Sequence, residues 1–221
     1  MGFAEVKTAA DSPSLLRKVL EAVAFMAPMS VPLPETLTDA NGALAPLPEG
    51  YWPVGLVTRE GYTREISVEK EDTESFGYGN PTRTDLTKAP STLGVTPQEY
   101  GRRNLMQLIY AMDLSTIEQL ASGEIVFDEP PLPVLEEYRF IRIGRDGGAA
   151  NQWLIADGFP RVKLAELPND NWATGNPFQH ELKFDVFVDD ELGTGCRHYI
   201  GGTAPKSTAV RTALGFTQPG A

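Results

Sequence analysis

Two stretches of this chain alternate residue by residue between apolar and polar side chains, and that alternation limits the fold more than any other feature. In residues 64–71, Ile66 and Val68 stand on one parity and Glu65, Ser67, Glu69 and Glu71 on the other. In residues 180–189, Leu182, Phe184, Val186 and Val188 share one parity, against Glu181, Lys183, Asp185, Phe187 and Asp189. A period of two belongs to an extended strand with one dry face and one wet face. A chain organised around such strands is mainly β. The 21 glycines and 18 prolines among 221 residues agree, because they supply the turns between short strands.

The remaining pattern predicts the surrounding elements. Ser12-Pro13 starts a helix, and Leu15, Leu16, Val19, Leu20 and Val23 recur at helical spacing, which predicts a short amphipathic helix over 13–27. Residues 28–50 contain Pro28, Pro32, Pro34, Pro46 and Pro48 and read as an extended loop dotted with Val31, Leu33, Leu37, Leu44 and Leu47. Trp52 to Val57 reads as an apolar strand, with a turn at Glu60-Gly61 and a second turn at Phe76-Gly77-Tyr78-Gly79. A further strand over 86–95 is broken by Pro90.

Thr96-Pro97-Gln98-Glu99 has the form of a capping box with proline at the first helical position. It predicts the one principal helix over 97–112, buried through Tyr100, Leu105, Leu108, Ile109 and Met112. A helical turn follows at Ser115, and a short strand over 124–128. A β-meander is expected over 138–143, 152–156 and 161–167, turning at 145–148 and at Asp157-Gly158. Gly193-Thr194-Gly195 is read as closing a hairpin between the 180–189 strand and 196–200. The expected organisation is an N-terminal arm, helix and proline-rich loop over 1–50, a β domain over 51–201, and a flexible tail over 202–221.

Charge and chemistry narrow the function. The net charge is −11. An acidic chain is a poor stationary binder of nucleic acid, which is gripped by cationic side chains that release counterions. The single cysteine, Cys196, forms no internal disulfide and fits a reducing cytosol. His180, His198 and Cys196 lack a zinc spacing, and Asp189-Asp190-Glu191 lacks the ligand period of a calcium loop. Gly77 and Gly79 precede Pro81 rather than a helix, and no serine sits in a nucleophile elbow. No catalytic residue, metal or cofactor is therefore expected, and no stretch is long enough to span a bilayer. Trp52, Trp153 and Trp172 leave open a β-sandwich module for a small ligand or sugar. The many carboxylates leave open a hydrolase with two working acids.

The order of elements from Leu33 to Gly201 resembles the major tail protein, or tail tube subunit, of long-tailed phages, the actinobacteriophage type in particular. The resemblance is carried by Val54-Gly55-Leu56-Val57, the Glu60-Gly61 turn and the charged strand after it. It continues through Phe76-Gly77 to Pro81, Arg83-x-Asp85, and a helix about a dozen residues on. It implies a structural protein rather than an enzyme, with a tail-tube-type β-sandwich or barrel and one flanking helix. Subunits of that family pool strands into a ring-shaped inner barrel, and hexameric rings stack into the non-contractile tube through which the DNA genome is ejected.

The implied partners are further copies of the chain, the tape measure protein, tail tip and terminator proteins, and double-stranded DNA in transit without stable binding. The implied location is the virion tail, assembled in the host bacterial cytoplasm, without membrane insertion by this subunit. On that footing Glu65, Glu69, Glu71, Asp185 and Asp189 are lumen-facing candidates, since carboxylates repel the duplex over about one Debye length, ~8 Å. Val31, Leu33, Leu37, Leu44 and Leu47, with Arg145 and Asp146 of the next hairpin, are assembly-interface candidates. They lie in segments that either order against a neighbour or, for the proline-rich loop, pack over the subunit's own sheet. Removing residues 31–47 is then expected to leave a folded monomer that does not polymerise.

Overall fold

The computed structural model describes residues 2–170, 172–175 and 177–217. Met1 of the expected N-terminal arm, residues 171 and 176, and residues 218–221 of the expected tail lie outside these. The protein is mainly β. Among the described residues, the strands are β1 (Glu21–Pro28), β2 (Trp52–Pro53), β3 (Val57–Ile66), β4 (Glu69–Thr73), β5 (Arg83–Lys88), β6 (Ser91–Pro97), β7 (Glu137–Asp146), β8 (Trp153–Leu164), β9 (Leu182–Val186) and β10 (Arg197–Gly201). The helices are α1 (Phe3–Ala10), α2 (Arg103–Ile109) and α3 (Thr208–Leu214).

The main sheet runs β2-β1-β7-β8-β9-β6-β3, with β10 also on β8, and every pairing is antiparallel. β2 and β3 stand at opposite ends of that order, yet only residues 54–56 separate them in sequence. Laid flat, seven strands would hold their outer members about 29 Å apart. The linking residues reach about 14 Å at full extension. The sheet must therefore roll until its ends meet. Arg142 Nη1 on β7 donates to the Tyr62 carbonyl on β3 at 3.0 Å, and Val54 N to the Ala24 carbonyl on β1 at 2.9 Å.

Rolling separates two cores. The inner one holds Ala24, Met26, Leu93, Val95, Phe140, Phe159, Val162, Leu182 and Phe184, and α2 plugs it with Leu105, Leu108 and Ile109. The second lies on the opposite face of β7 and β8, where Ile141, Ile143, Leu154, Ala156 and Tyr199 receive Leu37. The proline-rich loop is thus packed over its own sheet rather than waiting for a neighbour. Leu33 is buried as well, close to Gly158, where a Cβ would stand 2.9 Å from the Leu33 side chain. Tyr199 Oη donates to the Pro34 carbonyl at 2.5 Å, fixing the loop's path.

Several expected elements change. The helix over 13–27 is instead a short 3-10 turn at Pro13–Leu15 followed by β1. β1 lies between β2 and β7, so Ala24 and Met26 fill one core while Val23 and Phe25 pack on the other. Burial on both faces overrides a weak helical period. The capping box does not form. β6 continues to Pro97, Gln98 N extends its ladder to the Leu56 carbonyl, and the Glu99 carboxylate accepts from Leu56 N at 2.7 Å and from Arg102 at 2.6 Å. α2 consequently starts at Arg103.

Glu60-Gly61 is a bulge within β3, not a turn: the register with β6 shifts between Val57 and Tyr62, and Gly61 takes φ +72°. Residues 124–128 form no strand. The expected turn at Asp157-Gly158 is also absent, because β8 runs straight through it. The hairpin expected between β9 and 196–200 does not pair those strands with each other. β10 pairs with residues 154–158 of β8, whereas β9 pairs with 162–164. In the expected flexible tail, Ser207 Oγ caps α3, accepting from Val210 N, and Gly215 ends the helix at φ +73°.

The point where β8 changes partner is built around a proline. Pro160 lies in the middle of this interior strand and offers no N–H. Two residues of β8, Pro160 and Arg161, face the single Arg139 of β7 between the pairs Tyr138↔Val162 and Phe140↔Phe159. This bulge frees the Pro160 carbonyl, which accepts from Arg139 Nη1 at 2.6 Å. Replacing Leu37 with alanine should lower stability by about 2–5 kcal/mol, measured by urea denaturation. A loss within error would mean that the loop does not seal the second core.

Candidate assembly surface

Residues 67–90 leave the rolled sheet as a separate two-stranded sheet, β4 with β5. Every residue of β4 is exposed, and in β5 only Asp85 is partly covered. At the tip Phe76 is fully exposed and Tyr78 is 72% exposed. Ile66, Val68 and Leu86 near the base are exposed too. Local polar contacts hold the strands: Lys88 Nζ with Glu69 at 3.0 Å, Thr84 Oγ1 to Asp72 at 2.6 Å, and Arg83 to both oxygens of Asp85 at 2.6 and 2.9 Å. Exposed ion pairs contribute about 0–1 kcal/mol each, and a lone hairpin is marginal in water. This arm has two open backbone edges and an aromatic tip, but no core of its own.

The acidic candidates divide into three groups. Glu65, Thr92 and Asp185 stand directly opposite one another across β3, β6 and β9, and the row continues through Lys163 to Glu137. Residues opposite one another share a face, so Glu65 and Asp185 lie together on the outer face of the sheet. The inward row beside them is Arg64, Leu93, Phe184 and Leu164. Two cations around that face have acidic partners: Lys183 lies 3.5 Å from Glu166, and Arg161 meets Glu137 at 2.9 Å. Glu69 and Glu71 sit apart on the hairpin, with Glu71 opposite Asp85.

Asp189 belongs to neither group. It is 5% exposed and meets Arg139 Nη1 at 2.6 Å, so it presents no carboxylate to a lumen. Its Oδ1 accepts from the Glu191 and Leu192 backbone at 3.0 Å each, which makes it the organiser of an acidic turn rather than a calcium ligand. Those backbone donors, with Arg139, outweigh burial and hold its pKa below the usual carboxylate value.

The assembly candidates are mostly committed within the subunit. Leu33 and Leu37 are buried, Leu47 packs on the second core, and the Val31 carbonyl accepts from Arg139 Nε at 3.2 Å. Arg145 pairs with Glu21 at 2.8 Å, and Asp146 accepts from Lys18 N at 3.2 Å and Arg17 at 3.4 Å, so both pin the N-terminal segment to β7. Of the set, Leu44 remains exposed. Apolar residues that sequence reading did not single out, Leu120, Ile125, Val126, Leu132 and Val134, form a second exposed run. Ile125 and Val126 fall in the strand expected over 124–128, and the other three show no period-two or helical spacing.

The three tryptophans share no cleft. Trp52 packs on the inner core, Trp153 is buried beneath the Arg17 guanidinium at 4.2 Å, and Trp172 stacks edge-on against Phe178 at 5.3 Å. His180 lies between Tyr100 and Phe178, and burial lowers its pKa despite the nearby Asp170. A cavity of about 500 Å³ between α2 and residues 130–138 is lined largely by Leu108, Ala111, Leu132, Val134 and Leu135.

Histidine and cysteine do meet an unforeseen third residue. His198 Nδ1 lies 2.6 Å from Asp157 Oδ1, and Cys196 Sγ lies 3.8 Å from His198 Nε2. Burial opposes ionisation of Asp157, but hydrogen bonds from Arg142 and His198 prevail and lower its pKa. Burial raises the pKa of the Cys196 thiol. His180 is not part of this cluster.

Among the described residues no helix is long and apolar enough to cross a membrane. No protein-family model and no curated protein matches the chain.

Asp189→Ala, which leaves Arg139 buried without its partner, should cost about 3–5 kcal/mol at neutral pH in urea denaturation. Because the pKa of Asp189 is lowered on folding, its contribution is present above the unfolded carboxylate value, about 3.9, and is lost as pH falls through the lower folded value. The gap between variant and wild type should therefore narrow on acidification below about pH 4. A gap independent of pH would contradict this role for the pair.

Proposed function

We propose that this chain is a structural subunit that polymerises into a tube, the major tail protein of a long-tailed phage. The hairpin β4–β5 carries the reading. The strands of the rolled body pack on two cores, whereas this arm has no core and offers two edges and an aromatic tip to water. Exposed strand edges template pairing with another chain. Identical subunits that each lend such an arm to the next satisfy all of them by closing a ring, since head-to-tail contacts either close or propagate. Stacked hexameric rings then give a non-contractile tube.

In this arrangement Glu65 and Asp185 from the body and Glu69 and Glu71 from the arm are the candidates for the bore. The duplex passes without a grip, because Arg161 and Lys183 near the Glu65–Asp185 row already have carboxylate partners and release few counterions to DNA. The partners in this reading are the tape measure protein and the tail tip and terminator proteins. The virion tail is the place of action, and assembly precedes it in the host cytoplasm.

Phe76→Asp combined with Tyr78→Asp should leave the body folded, with unchanged circular dichroism, because both side chains are exposed. Concentrated wild type should form rings or tubes in negative-stain images, while the double variant stays monomeric in sedimentation. Wild type that remains monomeric, or a variant that forms tubes equally well, counts against the proposal.

A further inference from the structure

Three neighbouring strands place four functional side chains in one patch. Arg142 of β7 stands opposite Asp157 of β8, and Asp157 stands opposite His198 of β10. Cys196 lies two residues before His198, and in extended chain residues two apart face the same way. Both oxygens of Asp157 are committed. Oδ2 accepts from Arg142 Nε at 2.9 Å and Nη2 at 2.6 Å, while Oδ1 faces His198 Nδ1 at 2.6 Å. An ionised carboxylate only accepts, so Nδ1 carries a proton, which leaves Nε2, on the Cys196 side of the ring, as the nitrogen free to bind a metal.

The spacing between Nε2 and Sγ suits a shared metal ion as well as a long hydrogen bond. At 3.8 Å they stand at the long end of a thiol–imidazole hydrogen bond. Two ligands on one zinc ion, with Zn–S about 2.3 Å and Zn–N about 2.05 Å, are separated by that distance when the angle at the metal is about 120°. A nucleophilic thiol would need a donor for the developing oxyanion. The amide nearest to hand, Cys196 N, instead donates to Thr194 Oγ1 at 3.2 Å. An imidazole held by a carboxylate through Nδ1 is the usual outer shell of a histidine–metal bond.

We propose that Cys196 Sγ and His198 Nε2 chelate a zinc-class divalent ion, with Asp157 as the positioning residue that orients the ring. Binding replaces the thiol proton, which leaves to solvent, and forms Zn–S and Zn–N bonds. The His198 side chain is 62% exposed, so the remaining coordination positions open to water or to a donor from a neighbouring subunit. The site does not depend on the tube assignment.

Full-length protein titrated with cobalt as a spectroscopic stand-in should develop thiolate-to-metal charge-transfer absorption that saturates at a single equivalent. Cys196→Ser should abolish it. In competition with a chromophoric chelator, zinc affinity should fall at least about tenfold in His198→Gln and about 10–100-fold in Asp157→Asn. His198 is exposed, so its variant tests the site even if Asp157→Asn proves unstable. No charge-transfer band in the wild type, or zinc affinity unchanged in either Cys196→Ser or His198→Gln, overturns the proposal.

Discussion

Three residues, Val54, Gly55 and Leu56, join strands that stand at opposite ends of the sheet order. Such a link forbids a flat sheet, and most of the architecture follows from the curl it imposes. The interior becomes narrow enough for Phe140, Phe159 and Phe184 to meet and for a two-turn helix to seal it. The outer face of β7 and β8 is left needing cover, and the proline-rich segment supplies it. Proline suits that task, because a loop laid over a sheet has few partners for backbone N–H groups. Closure also reduces the free strand edge on the body. β3 and β10 keep one open edge each on the body, while β4 and β5 have neither a third strand nor a helix over them.

A second constraint operates at Pro160. An interior strand tolerates proline only with a bulge, and the bulge exposes a carbonyl inside the protein. Arg139 satisfies that carbonyl, and its charge in turn is balanced by Asp189, which organises the turn leading from β9 toward β10. The ion pair is nearly dry. Its two charges lose hydration that only close, multiple hydrogen bonds offset. One backbone irregularity thus links the fork in the sheet, the acidic turn and the course of the Val31 segment.

The sequence carried the wet-and-dry strands plainly. β9 fell within the alternation at 180–189, and the break at Pro90 between β5 and β6 was legible from the proline itself. The alternation at 64–71 marked strand correctly but not its interruption at Ser67-Val68, where the chain leaves the body for the arm. β1 was read as helix because a strand buried on both faces loses the period that would identify it. β8 was read as two strands because Asp157-Gly158 has turn chemistry, although its glycine actually gives Leu33 room. Register was invisible throughout. It alone brings Glu65 beside Asp185 and sets Asp157 against His198, while Asp189, which the alternation places on the wet face, lies past the end of β9 and turns in to Arg139.

The account turns on an arm that is incomplete in one subunit and completed by the next. Amide hydrogen exchange over residues 69–88, compared between dilute protein and assembled particles, tests this most directly. The account predicts exchange close to that of free chain in the monomer and strong protection after assembly, with the amides of β7 and β8 protected in both. Equal protection of the arm in the two states, or its continued exposure within formed particles, would contradict it.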